Sequence, residues 1–121
     1  MAVIAYPGNL QTAQGGNADS TNTIRRSGEV NLRAMILRIT SAIGATPTVT
    51  VNIVGSNDGT TFYNVPYSPL GAAPADSYTT APLVITTAVT GLYYLMAGQG
   101  WTYLKLVMTL NTNVTLTSDL L

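Results

Sequence analysis

Alternating apolar and polar residues predict β-strands along most of the chain, and the pattern is clearest between residues 48 and 53. Val49, Val51 and Ile53 alternate there with threonine and asparagine. This is typical of a strand with one buried face and one polar face. A second such pattern lies near the end of the chain, where four apolar residues are predicted to share one face of a strand: Leu104, Leu106, Met108 and Leu110.

Turn-forming residues separate the predicted strands. Ser41, Gly44 and Pro47 predict a turn between two strands. Asp58 and Gly59 predict a hairpin turn because both residue types tolerate positive φ. The polar residues around Asp58 could also supply oxygen ligands to calcium. The turn is favoured because one carboxylate is few ligands for an ion that takes about six to eight oxygens.

The whole pattern predicts an all-β protein with an N-terminal extension. About seven or eight short strands, separated by turns about every eight to twelve residues, are typical of an antiparallel β-sandwich of jelly-roll or immunoglobulin-like topology, or of a related barrel. We assign this domain to residues 29–121. Residues 1–28 are rich in glycine and small polar residues and predict an extended arm. A short apolar strand at residues 2–6 docks either on its own sheet or on a neighbour.

Composition indicates an assembly role. The chain of 121 residues has five basic and five acidic residues, a formal net charge of zero, and no histidine or cysteine. Soluble domains usually carry about a quarter charged residues, so the 8% found here predicts that something other than water covers much of the surface. Zero net charge argues against nucleic acid or an anionic membrane as a partner. The aliphatic runs are too short for a transmembrane segment, and we expect folding in the cytoplasm.

Catalysis is not expected. Without histidine or cysteine, the usual nucleophile systems and transition-metal sites lack their main components. The five acidic residues lie far apart in sequence and show no spacing typical of acid–base catalysis. We therefore predict no catalytic residues, no metal site and no cofactor.

Basic residues are concentrated in one part of the chain. Arg25, Arg26, Arg33 and Arg38 fall within about fourteen residues. Arginines at a strand edge discourage aggregation between sheets. Alternatively, they contact an acidic partner, because arginine forms charge-assisted hydrogen bonds with carboxylates.

Aromatic residues provide a second set of candidates. Tyr93, Trp101 and Tyr103 are candidates for a subunit interface, because aromatic residues are enriched at interfaces. Core packing and stacking on a sugar are the alternatives. Tyr93 and Tyr94 are adjacent on a strand and must face opposite ways.

Two segments resemble a family of small β-sandwich proteins. They are "VNLRAMILRITSAIGATPTVTVNIVGSNDGTTFYNV" and "GLYYLMAGQGWTYLKLVMTL", and they contain a Ser-x-x-Gly-x-x-Pro turn, an alternating strand before Gly-Ser-Asn-Asp-Gly, and a late Gly-x-Tyr strand. In these features the chain resembles head decoration, or cement, proteins of tailed bacteriophages. Two parts have no counterpart in the resemblance: the long loop at residues 66–78 and the N-terminal arm.

The resemblance implies a virion protein on the outer face of a capsid, commonly a homotrimer that braces neighbouring major capsid subunits. On this hypothesis Arg25, Arg26 and Arg33 contact the major capsid protein, and Tyr93, Trp101 and Tyr103 form contacts between subunits. The alternative is a carbohydrate-binding or receptor-binding domain of a phage fibre or tail. A third possibility is a general assembly module of the baseplate or tail.

Overall fold

Strands of one hydrogen-bonded sheet form the fold. The computed structural model describes residues 2–5, 8–25, 35–69, 78–95 and 101–121, and helix is absent from these residues. The all-β prediction is therefore confirmed. The strands are β1 (Ala2–Ala5), β2 (Gly8–Gln14), β3 (Ala18–Asp19), β4 (Asn22–Arg25), β5 (Met35–Ser56), β6 (Tyr63–Asn64), β7 (Tyr67–Pro69), β8 (Leu83–Ile85), β9 (Thr90–Leu95) and β10 (Tyr103–Leu120).

Two long antiparallel strands, β5 and β10, organise the sheet. They pair from Leu37 opposite Leu120 to Ser56 opposite Tyr103. Strands β6, β8 and β9 pair with the other edge of β5, and β2, β3 and β4 pair with the other edge of β10. Strand β1 pairs with β4 in parallel, so the curled sheet is mixed.

Both long strands are distorted near their middles. Thr46 of β5 has φ 48°, while Leu110 and Asn113 of β10 have φ 52° and 55°. The register between the strands shifts between Thr109 and Val114. Non-glycine residues rarely adopt positive φ, and such irregularities bend a strand and increase its twist. These distortions accompany the curl of the sheet.

The prediction of a turn between two strands at residues 41–47 is wrong, because the chain does not reverse direction there. Strand β5 continues through this segment without reversing, since its residues on both sides pair with β10. The backbone irregularity that Gly44 and Pro47 indicated is present, since Thr46 has a positive φ and the pairing with β10 changes register between Ile43 and Thr48. Side chains of residues 42–46 are exposed.

Along both long strands, residues of the hydrophobic core alternate with more exposed residues. Its members from these strands are Leu37, Ile39, Val49, Val51, Ile53, Leu104, Leu106, Met108, Val114, Leu116 and Leu120. The alternation predicted around Val51 is therefore confirmed. Leu110 was predicted to share the buried face with Leu106, but it is 72% exposed. Its positive φ interrupts the alternation of side-chain directions.

The described part of the predicted N-terminal arm lies in the chain's own sheet. Strands β2, β3 and β4 pair with β10, and the side chains of Leu10 and Ile24 are fully buried. Two apolar residues therefore attach a mostly polar segment to the core. The predicted boundary between residues 28 and 29 lies outside the described residues.

Polar side chains stabilise this N-terminal segment further. The Oε1 atom of Gln11 accepts hydrogen bonds from the backbone nitrogen of Thr21 at 2.7 Å and from its hydroxyl at 2.9 Å. The backbone nitrogen of Ser20 donates to the carbonyl of Leu106 at 2.7 Å, and the Leu106 nitrogen donates to the Ser20 hydroxyl at 3.1 Å. Buried polar groups are thus paired with backbone groups.

The buried and exposed leucines of β10 provide a matched test of the core. We expect Leu106→Ala to lower the free energy of unfolding by about 2–5 kcal/mol, because it leaves a cavity. Leu110→Ala should change it by about 0.5 kcal/mol or less. Urea denaturation measures both variants. Equal losses would contradict the assignment of Leu106 to the core and Leu110 to the surface.

Candidate functional site

The turn after β5 is held by a carboxylate. Asp58 Oδ1 accepts hydrogen bonds from the hydroxyl of Ser56 at 2.8 Å and from the backbone nitrogens of Thr60 and Thr61 at 2.8 and 2.9 Å. Gly59 has φ 78°, a conformation that glycine adopts without steric cost. Because β6 returns antiparallel to β5, the predicted hairpin is confirmed.

These hydrogen bonds hold Asp58 in its charged form. Donation by the backbone of Thr61 and Thr60, and by the Ser56 hydroxyl, lowers the pKa of Asp58 from 3.8 to about 2. Asp58 Oδ2 accepts no hydrogen bond from another residue within the described part of the chain. One carboxylate oxygen therefore holds the turn while the other is available to a ligand.

Beside this turn lies an aromatic pair. The rings of Tyr63 and Trp101 have centroids 6.4 Å apart and are inclined by 29°, an offset arrangement. Trp101 is half-buried and packs against the core, whereas Tyr63 is 61% exposed.

Gly55 makes room for the indole. A Cβ atom at this position would lie 2.7 Å from Cδ2 of Trp101 and 2.9 Å from Cγ2 of Val65. Glycine in a strand often marks such a close approach. Gly55 pairs with Tyr63 across the hairpin, so the hairpin register brings both aromatic residues to the same place.

Together these elements form a shallow pocket of about 270 Å³. Its lining consists of Asn57, Asp58, Thr61, Tyr63 and Trp101. Ring surfaces stand beside an amide and a carboxylate, a combination suited to binding and orienting a polar ligand. Within the described ranges there is no group of three or more histidine, cysteine, aspartate or glutamate residues that could hold a metal ion.

Of the three predicted interface residues, Trp101 and Tyr103 lie at the same turn, and Tyr93 lies apart from them. Trp101 belongs to the pocket, and Tyr103 lies against the outside of the same turn, where a Cβ on Gly59 would be 3.3 Å from its ring. Tyr93 is in the core and is 9% exposed. Its ring meets that of Tyr67 edge to face, with centroids 5.9 Å apart.

The assignment of Tyr93 to a subunit interface is therefore corrected. Its side chain points inward from β9, and burial raises the pKa of its hydroxyl. Gly91 leaves space for that hydroxyl, since a Cβ there would lie 2.7 Å from it. Leu92, one residue earlier, faces outward and is 39% exposed.

Of the three arginines predicted to contact the capsid, the structure describes one. Arg25 is exposed at the end of β4, and its guanidinium carbon is 6.0 Å from the ring centroid of Tyr103, a cation–π distance. Arg26 and Arg33 lie outside the described residues.

Two other basic side chains are engaged within the chain. Arg38 pairs with Asp119 at 2.8 Å, and Lys105 pairs with Asp19 at 2.6 Å. Partial burial raises the pKa of Asp119, but hydrogen bonds from Arg38 and Asn9 outweigh this effect and lower it. These pairs fasten β10 to strands on both of its sides.

Sequence reasoning found Trp101 and the turn but did not combine them. The usable signal was Gly55 at the end of an alternating strand, together with the hairpin that sets Tyr63 opposite it. The contact with Trp101 joins residues distant in sequence, so local patterns did not reveal it.

A glycine substitution tests the seating of the indole. We expect Gly55→Ala to destabilise the protein by about 1–3 kcal/mol, as overpacking does, and to shift the emission of the single tryptophan. Gly15→Ala is the control, because the nearest atom to its added Cβ would be 3.9 Å away. Denaturation and fluorescence measure both effects. An unchanged emission spectrum in Gly55→Ala would contradict the close contact.

The carboxylate of Asp58 gives a pH-dependent test. Its folded-state pKa lies below the unfolded value, so its stabilising contribution is present above about pH 4 and declines as the pH falls towards about 2. We expect the stability difference between wild type and Asp58→Asn to shrink over that interval. Urea denaturation at successive pH values measures it, and a constant difference would contradict the role of the charged carboxylate.

Comparison with protein-family models, curated proteins and solved structures gives no match. Among the described residues, no helix is long and apolar enough to cross a membrane.

Proposed function

We propose that this protein is a structural virion protein that binds the outer face of a phage capsid and braces neighbouring major capsid subunits. One observation carries the proposal: the described surface exposes large apolar side chains while most described charges are engaged within the chain. The exposed apolar residues are Val3, Ile43, Tyr63, Val84, Leu92, Leu110 and Leu121. A surface with few free charges suits close contact with other protein.

The proposal includes self-association as a homotrimer. Closed symmetry buries weakly charged surfaces without leaving them free for open-ended aggregation. Because Tyr93 is buried in its own subunit and Trp101 lines an open pocket, the proposed subunit contacts are reduced to Tyr103 and the exposed apolar side chains other than Tyr63. The resemblance of residues 30–65 and 91–110 to capsid decoration proteins supports this function, and the proposal involves no catalytic step.

A carbohydrate-binding or receptor-binding domain of a fibre or tail is the second candidate. The exposed ring of Tyr63 beside Trp101 favours it, because aromatic rings offer apolar faces for a ligand to stack on. Position in the virion separates the two candidates. A decoration protein is present on heads at near-stoichiometric copy number, whereas a fibre or tail domain is confined to tails.

Capsid attachment is tested by replacing two arginines. We expect Arg25→Ala combined with Arg26→Ala to reduce occupancy on purified heads while the isolated protein remains folded, because charge-assisted arginine contacts with carboxylates of the capsid would be lost. Raised salt should reduce wild-type occupancy in the same direction. Quantitative mass spectrometry of intact heads measures the copy number.

The charge-conserving control is Arg25→Lys with Arg26→Lys, which retains most of the salt-dependent attraction. Equal occupancy of the alanine variant and wild type would reject the arginine contact. Absence of the protein from heads, together with its presence in tails, would reject the decoration function itself. Light scattering that shows a stable monomer at micromolar concentration would reject the homotrimer.

A further inference from the structure

In the pocket after β5, the aromatic rings of Tyr63 and Trp101 present apolar carbon surface to a ligand. Tyr63 is the most exposed aromatic residue that lines it, at 61%. The indole nitrogen of Trp101 is buried, so its side chain presents only carbon atoms to the pocket. The two offset rings therefore form an apolar wall at a solvent-open site.

A hydrogen-bond donor and a hydrogen-bond acceptor lie beside these two rings. Asn57 Oδ1 accepts from the backbone nitrogen of Thr102 at 3.1 Å, a donor that it shares with the Ser56 carbonyl. This contact orients the amide and leaves its Nδ2 without a hydrogen bond in the described part of the chain. Asp58 Oδ2 is likewise available. The pocket thus offers an amide donor next to a carboxylate acceptor.

Neither polar group depends on the ligand for its position. Asp58 is held by three hydrogen bonds to its other oxygen, and Asn57 is tied to the start of β10 through Thr102. A site whose side chains are already ordered has a lower entropic cost of binding. This order distinguishes the pocket from an ordinary polar surface loop.

We propose that the pocket lined by Asn57, Asp58, Tyr63 and Trp101 binds a neutral saccharide. The apolar C–H face of one sugar ring lies against Tyr63 and the edge of Trp101. Adjacent hydroxyls donate to Asp58 Oδ2 and accept from Asn57 Nδ2. This activity goes beyond capsid attachment, which needs neither polar group.

The chemistry of the pocket favours this ligand class over others. The negative charge of Asp58 disfavours phosphates and carboxylates. A lone carboxylate is too few ligands for a hard cation. A purely apolar ligand would leave the amide and the carboxylate unpaired on binding. A neutral sugar ring has an apolar face that can pack on the aromatic rings and vicinal hydroxyls that can hydrogen-bond to the amide and the carboxylate.

The size of the pocket limits the ligand and its affinity. A volume of about 270 Å³ is below the range of about 300–1,000 Å³ that is usual for drug-sized ligands. The pocket is therefore suited to a small ligand of one or two sugar rings. For so few atoms at ordinary ligand efficiency, the dissociation constant is about millimolar.

The test is a titration of the full chain monitored by NMR. The probes are glucose, galactose, mannose, N-acetylglucosamine and their disaccharides, and sorbitol serves as a polyol without a ring face. We expect at least one saccharide to shift the Trp101 indole signal and the Asn57 amide signals saturably, with no shift from sorbitol. The single tryptophan makes the indole signal unambiguous.

Two substitutions separate the ring contact from the hydrogen bonds. Tyr63→Ala should weaken binding by about fivefold or more, because the stacking surface is lost. Asp58→Asn should weaken it similarly, since it retains an acceptor for the turn but replaces the free oxygen by an N–H donor. Val84→Ala, at an exposed site on β8, is the matched control and should leave affinity unchanged.

Three results would overturn the proposal. They are the absence of saturable shifts across the panel, equal responses to sorbitol and saccharide, and unchanged affinity in Tyr63→Ala with native circular dichroism. Shifts of Trp101 and Tyr63 that depend only on protein concentration would assign this surface to contact between copies of the chain, and would also overturn it. All four leave the test of capsid occupancy unaffected.

Discussion

The antiparallel pairing of β5 with β10 is the constraint on which the rest of the structure depends. Every strand described outside this pair, except β1 and β7, attaches directly to an outer edge of one of the two. The same two strands supply most of the buried leucine, isoleucine and valine side chains. Contacts between residues far apart in sequence therefore dominate the fold, and loss of one strand would remove both backbone pairing and core from the other.

This pairing also determines where the candidate site forms. Gly55 and Ser56 end β5 opposite Leu104 and Tyr103, so the turn that follows is next to the beginning of β10. Trp101 and Thr102 immediately precede β10 and thereby contact the turn: the indole rests on Gly55, and the Thr102 nitrogen donates to Asn57. The pocket is thus assembled from the ends of the two central strands, which are more rigid supports than a free loop.

Local patterns predicted those parts of the fold that local physics determines. The alternation at Val49 to Ile53 indicated a half-buried strand, and Asp58-Gly59 indicated a hairpin, because each depends on nearby residues. The positive φ of Thr46 and the outward direction of Leu110 were not predicted, since both occur where the pairing between two strands distant in sequence changes register. Similarly, the sequence predicted that Tyr93 and Tyr94 face opposite ways, but the inward direction of Tyr93 is evident only from the structure, where its ring packs against Tyr67 in the core.

The N-terminal segment shows why composition alone was a poor guide to attachment. Residues 8–25 contain few apolar residues, yet the sheet offers unpaired backbone groups along β10, and two buried side chains, Leu10 and Ile24, hold the segment there. Once it is attached, Asp19 pairs with Lys105, and Arg25 lies over Tyr103. Some of the few charged side chains therefore attach the N-terminal segment to β10. The described surface, with few charges left unpaired, has little electrostatic protection against association, and the closed contact that we propose would keep such a protein from aggregating.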